Sequence, residues 1–449
     1  MSKHTMDLTT GSVTKKLLVF TMPILASNLL QQLYSAADTI VVGKFANDTA
    51  LAAVGSTGSL IGLLLSIFVG LSTGTNVICA NYFGARDQDK LRKSMHTSIL
   101  LGIICGIILA IVGIALAKPL LLITGTPNSV LDQALLYIRI IFLGVPASLV
   151  FNFAASILRA HGDTKRPMII LSLSGLANVL LNLLFVIAFR MDVAGVALAT
   201  IISQYLSMVA VLYLLYDPQG SCAMQKREMH LDKEAVWEIV RVGVPSGING
   251  ALFSFSNVIL QSSINSFGDI YMAGNAAASS ITCFVYYFAV SFSIANVSFA
   301  GQCYGAKKYE RIDQLMVSST IGAVIGVCGA SLVVTLMPRF LLGLYTSNPE
   351  VIDSAVDKMI LLSWGYMIHA VAENAAGCLR GMGRSTMPTI LNICGICLPR
   401  VVWVYCIFPM HPTYFMLNIC YPLSWLISMV LQIWYYLHCR KKLRMVAAQ

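Results

Sequence analysis

The feature that most constrains this chain is a series of apolar runs, each about 18 residues or longer, recurring along nearly its whole length. An α-helix rises about 1.5 Å per residue, so about 20 residues cross a hydrocarbon layer roughly 30 Å thick. Inside that layer no water meets an open N–H or C=O group, and a crossing segment must close its own hydrogen bonds as a helix. Twelve such segments are read, at 17–42, 51–79, 94–117, 132–158, 167–189, 194–216, 239–266, 272–302, 314–337, 353–379, 387–408 and 415–438. The expected fold class is therefore an all-α membrane protein of twelve transmembrane helices. Composition agrees, since 57% of the 449 residues are hydrophobic and 11% are charged, against about a quarter charged in a soluble domain. Lys15 and Lys16 precede the first run as the basic region of a signal peptide would. That run is too long for such a peptide and lacks a small-residue cleavage pattern, so it reads as the first span.

A net charge of +10 raises the question of nucleic acid, and the distribution of the charge answers it. The Lys and Arg residues cluster at both termini and in the even-numbered connections, from Lys3 to Arg444. Lys44, Lys118, Arg190, Arg339 and Lys358 are assigned to the opposite side, and Arg139 and Arg400 fall within spans. This is the positive-inside pattern, which places both termini in the cytoplasm and the protein in the cell membrane. No nucleic-acid partner is expected. The 12 cysteines are scattered through apolar spans rather than spaced as a disulfide framework. The Cys394/Cys397 pair lies inside an apolar run and reads as core packing.

The chain repeats itself. Pro23 and Phe45 match Pro245 and Phe267 at an offset of 222. After a one-residue slip, Phe83-Gly84-Ala85 matches Tyr304-Gly305-Ala306 at 221, and Leu158-Arg159 with Gly162 and Pro167 matches Leu379-Arg380 with Gly383 and Pro388. Each repeat holds an even number of spans, so both enter the membrane in the same direction. Two six-helix lobes related by a pseudo-two-fold axis along the membrane normal are expected, with a cavity between them, as in transporters built from parallel repeats. The organisation read is an N-terminal lobe over 1–216, a cytoplasmic linker over 217–238 and a C-terminal lobe over 239–449. The Gly70/Gly74, Gly102/Gly106 and Gly322/Gly326 pairs predict close helix packing.

A charge near mid-bilayer costs about 2.5–3.5 kcal/mol on insertion scales, so such a residue usually faces a cavity or a partner. Two acids stand out inside the spans, Asp38 in the first and Glu373 in the tenth. Topology sets Asn178 at mid-depth in the fifth span, Asn182 one turn outward, and Thr200 within the first two turns of the sixth. Asp38, Asn178, Asn182 and Thr200 can thus share one layer of the first lobe. Such oxygens suit a hard cation, and a buried carboxylate suits a proton. Pro23 lies four turns before Asp38 and invites a kink. Protonation or ligation of Asp38 is expected to bias bending there.

These residues resemble the multidrug and toxic compound extrusion (MATE) family, in its prokaryotic DinF-like branch. The resemblance rests on Gln31-Gln32-Leu33-Tyr34 leading to Asp38 and Val42-Gly43, on Phe83-Gly84-Ala85, on Leu158-Arg159-Ala160 with Gly162-Asp163-Thr164, and on Leu379-Arg380-Gly381-Met382-Gly383. It implies a two-lobed exporter that exchanges protons or sodium for small organic, often cationic, compounds, with no cofactor beyond the coupling ion. It also implies a coupling site on Asp38, Asn178 and Thr200, where Na⁺ is a candidate ligand, and a kinking proline at Pro23. Two departures matter. Asn182 stands where many relatives carry an Asp, which weakens a sodium site and favours proton coupling. His369 stands where relatives with a second-lobe acid place it, and Glu373, one turn later, is the candidate substitute.

No Gly-x-x-x-x-Gly-Lys loop occurs, so energy is expected from an ion gradient. No His-Glu-x-x-His or Gly-x-Ser-x-Gly pattern lies within the spans, so the chain does not read as an enzyme. The competing transport reading is a flippase of lipid-linked saccharides or lipids, which would line its cavity with several basic residues; only Arg139 and Arg400 qualify. Met272, Tyr286, Tyr287, Phe288 and Phe292 suit an apolar cavity or a lipid-facing surface equally. A monomer is expected, with the lipid bilayer and a small organic substrate as its partners.

Overall fold

The computed structural model describes residues 5–45, 48–123, 126, 128–218 and 222–447. Twelve long helical segments stand at the twelve expected places. They are α1 (Val13–Phe45), α2 (Asp48–Ala85), α3 (Gln88–Ile123), α4 (Asn128–Ala160), α5 (Lys165–Leu183, continued by a π turn over Leu184–Ala188) and α6 (Asp192–Tyr216). There follow α7 (Lys233–Asn265), α8 (Asp269–Gly305), α9 (Tyr309–Leu336), α10 (Pro349–Gly381), α11 and α12 (Tyr414–Ala447). α11 alternates helix and π turn, over Thr386–Asn392, Ile393–Cys397, Leu398–Val402 and Trp403–Ile407. Most helices overrun the apolar runs because backbone pairing continues where the side chains become polar. A short helix, Pro338–Gly343, lies between α9 and α10 and has no counterpart in the sequence reading.

Ten of the twelve carry a strongly apolar window long enough to cross a membrane, and α7 and α10 do not. α10 is diluted by Asp357, Lys358, His369, Glu373 and Asn374. Its 33 residues still span about 50 Å as a helix. Large apolar side chains are left on the outside, among them Ile111, Leu173, Ile325 and Leu336, each more than half exposed. Water would penalise such a surface, and lipid does not.

The chain forms two compact units, one of Met1–Asp7 with Ala26–Gly247 and the other of Leu8–Leu25 with Ile248–Gln449. These limits differ from the lobes read off the sequence, because α1 and α7 each pass from one unit to the other. Each passage falls two residues after a proline, Pro23 or Pro245. The 217–238 linker also joins the first unit. His96 Nε2 lies 3.0 Å from the Gln225 carbonyl, and the Asp232 backbone N–H donates to Thr97. Asp232 caps α7 by accepting from the Ala235 N–H at 3.0 Å. That bond, with Lys93 nearby, holds the Asp232 carboxyl below its ordinary range.

Glycine explains why the first part of α7 stays with the first unit. A methyl on Gly70 would collide with the Gly247 backbone, and one on Gly74 would lie 2.9 Å from the Gly243 nitrogen. The other two glycine pairs also meet neighbours, Gly106 against Pro146 and Gly322 and Gly326 against the Phe292 and Phe288 rings. Those two phenylalanines therefore pack against α9.

The repeat is visible as repeated turns. After α4, the Gly162 N–H donates to Arg159 and that of Asp163 to Leu158, with Gly162 at φ +84°. After α10, Gly383 donates to Arg380 and Arg384 to Leu379, with Gly383 at φ +75°. The turns after α2 and α8 match in the same way, with Arg86 at φ 60° and Lys307 at φ 57°. These are left-handed helix caps, where glycine is the favoured residue.

A left-handed conformation costs a residue with a Cβ about 1–2 kcal/mol. Arg86→Gly and Lys307→Gly should therefore each raise the thermal midpoint of the purified protein. Gly162→Ala should lower it, since its methyl would also meet the Met6 carbonyl. Gly247→Val should destabilise by about 1–3 kcal/mol through overpacking against α2, read as a fall in the same midpoint.

Candidate functional site

In the first unit a cavity of about 170 Å³ opens between α1, α5 and α6. α1 contributes Ser27, Gln31, Tyr34 and Ser35, and α5 contributes Ser174 and Asn178. Thr200, Ser203, Gln204 and Ser207 come from α6. Tyr34 can lie against α5 because Gly175 carries no side chain, and its hydroxyl donates to the Ser172 carbonyl at 3.1 Å.

The polar groups form a directed chain. Asn182 Nδ2 donates to Asn178 Oδ1 at 3.3 Å, and Asn178 Nδ2 donates to Thr200 Oγ1 at 3.4 Å. Thr200 passes its own proton to the Val196 carbonyl at 3.0 Å. Ser203 and Ser207 likewise donate to the carbonyls four residues back, both at 2.8 Å. A hydroxyl that spends its hydrogen on the backbone keeps its lone pairs free to accept. Gln204 Oε1 is buried and accepts nothing. The lining is thus rich in acceptors, which suits a bound cation or an incoming proton.

The expected meeting of Asn178, Asn182 and Thr200 is therefore present. Asp38 lies on the same continuous helix as the α1 residues of the cavity, one turn beyond Tyr34. Its side chain falls outside the described residues. Pro23 is buried within α1, in the part that belongs to the second unit.

The second unit is arranged differently. Glu373 pairs with Arg380 at 2.7 Å, and Ser293 donates to its carbonyl at 2.8 Å and to its carboxylate at 3.3 Å. Arg400 therefore does not serve Glu373. His369 is 3% exposed and sits among aromatic rings, 5.7 Å from Tyr286 and 5.4 Å from Trp425 between centroids. Lys358, assigned above to an outer loop, is instead 2% exposed inside α10, where it donates to Asn275 Oδ1. Arg139, counted with Arg400 as a cavity cation, is exposed. Arg380 and Lys358 were missed as site residues although a signal existed. Lys358, His369, Glu373 and Arg380 are separated by 11, 4 and 7 residues, near-multiples of the helical period, so they share one face of α10.

The comparisons with known proteins agree with this architecture. A family model described as MatE matches twice, over residues 23–184 and 245–406, so the two copies stand 222 residues apart. "Probable multidrug resistance protein YoeA" of Bacillus subtilis is 27% identical over 394 residues, covering 86% of this chain and 85% of its own. "Probable multidrug resistance protein NorM" of Acinetobacter baylyi is 28% identical over 401 residues, covering 84% and 85%. An outward-facing multidrug resistance MATE transporter of the MOP superfamily superposes with a TM-score of 0.93 over 99% of both chains at 22% identity. With both halves matched by the same model and the twelve helices in place, the chain belongs to the MatE family of multi-pass membrane transporters and is not an enzyme.

Proposed function

We propose that this protein is a secondary active antiporter of the cell membrane, exporting small organic compounds in exchange for a cation by alternating access. The observation that carries the reading is the acceptor-lined cavity of the first unit, with its Asn182–Asn178–Thr200 chain beside the helix that bears Asp38. The relatives named as multidrug resistance proteins support organic compounds as cargo. The cationic compounds implied by the resemblance fit the first unit, whose cavity is lined by acceptors and, among the described residues, by no basic side chain. The uneven distribution of Lys and Arg supports cytoplasmic termini. The protein works as a monomer, each chain carrying its own coupling site.

Coupling belongs to the first unit. Glu373 already has Arg380 as its counter-charge, so a second coupling acid has no free role there. A lone carboxylate without the second acid replaced by Asn182 holds sodium weakly, and the proton is the coupling ion. Exchange of the proton at Asp38 alters the electrostatic environment of α1, and Pro23, which has no N–H to donate, is where that helix yields.

The test is efflux of a panel of fluorescent organic cations from proteoliposomes under an imposed proton or sodium gradient. Wild type should pump uphill with the proton gradient. Asp38→Asn should abolish uphill transport, Asn178→Ala and Thr200→Val should slow it several-fold, and Pro23→Ala should slow it without loss of cargo binding. Full-speed pumping by Asp38→Asn would sink the reading.

A further inference from the structure

The second unit buries two cations that have no acid. Among the described residues, no carboxylate lies in ion-pair reach of Lys358 or of Arg400, which are 2% and 1% exposed. Both charges lie over the ring of Tyr421, Lys358 Nζ at 5.6 Å and the Arg400 guanidinium at 4.7 Å from its centroid, so they are no more than about 10 Å apart. Two like charges this close in a poorly polarisable interior repel one another. Proteins rarely hold such a pair without a counter-charge.

Two buried donors of this cluster lack acceptors among the described residues. Arg400 Nε donates to Ser424 at 3.1 Å and Nη1 to Asn257 at 2.9 Å, while Nη2 is buried with no partner. Trp425 Nε1, 2% exposed, is a donor that also finds no acceptor, and His369 Nδ1 is unpartnered beside it. The local backbone is irregular as well. Arg400 stands on the short helix Leu398–Val402 between two π turns, a distortion that frequently marks functional sites.

We propose that this cluster is a binding site for the carboxylate or phosphate group of an aromatic organic anion. The oxyanion would accept from Arg400 Nη2 and Trp425 Nε1 and neutralise Lys358. The rings of Tyr286, Tyr366 and Trp425, which pack on His369 and on one another, would part to take its flat body in offset or edge contact. The two units then have opposite appetites, the first for a cation and the second for an anion. The inference goes beyond the transport reading and does not depend on it. Its test needs no ion gradient, so the failure of one is distinguishable from the failure of the other.

The experiment is equilibrium dialysis of 2-naphthoate, 2-naphthyl phosphate and the neutral 2-naphthamide against the full protein in phosphatidylcholine nanodiscs. An anion should bind about ten-fold or more tightly than the amide, as charge-assisted hydrogen bonds require. Arg400→Gln and Lys358→Met should each erase most of that preference, and Arg400→Lys should retain part of it. Equal binding of anions and amide by the wild type, or an undiminished preference in Lys358→Met and Arg400→Gln, would overturn the proposal. Should Arg400→Gln fail to fold, Lys358→Met decides alone. Repeating the dialysis with phosphatidylglycerol in the discs separates the sources: a fall in naphthoate affinity assigns the site to a lipid headgroup, and an unchanged affinity assigns it to a soluble anion.

Discussion

A hydrocarbon layer offers no hydrogen bonds, and the rest of this protein follows from that. Backbone groups are satisfied along helices long enough to cross it, and helix ends are closed by left-handed caps such as those at Gly162 and Gly383. Side chains face the same demand. In the first unit the demand is met by a chain of donors from Asn182 to Asn178 to Thr200 that ends on a backbone carbonyl. That chain leaves Gln204 Oε1 without a donor, and in the second unit Arg400 Nη2 and Trp425 Nε1 lack acceptors among the described residues. A membrane interior makes such omissions costly, which is why they carry information about function.

The duplication makes the contrast sharper. The two copies stand 222 residues apart at both ends of the family match. Earlier landmarks, Leu158/Leu379 and Pro167/Pro388, are separated by 221. α11 carries two π turns, Ile393–Cys397 and Trp403–Ile407, where α5 carries one. The first copy places amides and hydroxyls at its cavity, and the second buries Arg400 and Lys358. Both copies keep the scaffold, and on the proposed reading only one keeps the coupling chemistry.

Most of the fold was legible in the sequence because the bilayer constrains it through properties that sequence displays openly: apolar length, basic asymmetry and repeated turn residues. The Asn178–Thr200 contact was legible for a similar reason, since depth along two adjacent helices can be counted from their ends. The fate of Glu373 was not, because its partner Arg380 lies two turns away and looks like a loop residue. Lys358 was misplaced because a lysine near a span edge usually reaches the interface, and nothing local announces that Asn275 from another helix will hold it inside. Nor does composition reveal that α1 and α7 are each shared between units. That follows from the backbone approach of Gly70 to Gly247, a contact between residues far apart in sequence.

That sharing bears on the coupling role proposed for Asp38. α1 is a single continuous helix, built into the second unit from Val13 to Leu25 and into the first from Ala26 onward. Asp38 stands in the later part and Pro23 in the earlier one. On the proposed reading, a proton gained or lost in the later part acts on a helix whose earlier part belongs to the other unit, and α7 repeats the design with Pro245 before its own passage. A helix with an unbroken hydrogen-bond ladder resists bending, while a proline next to the passage lowers that resistance at one place. The position of the two prolines, each two residues from a change of unit, thus concentrates bending where the chain changes unit and away from the polar chain of Asn182, Asn178 and Thr200.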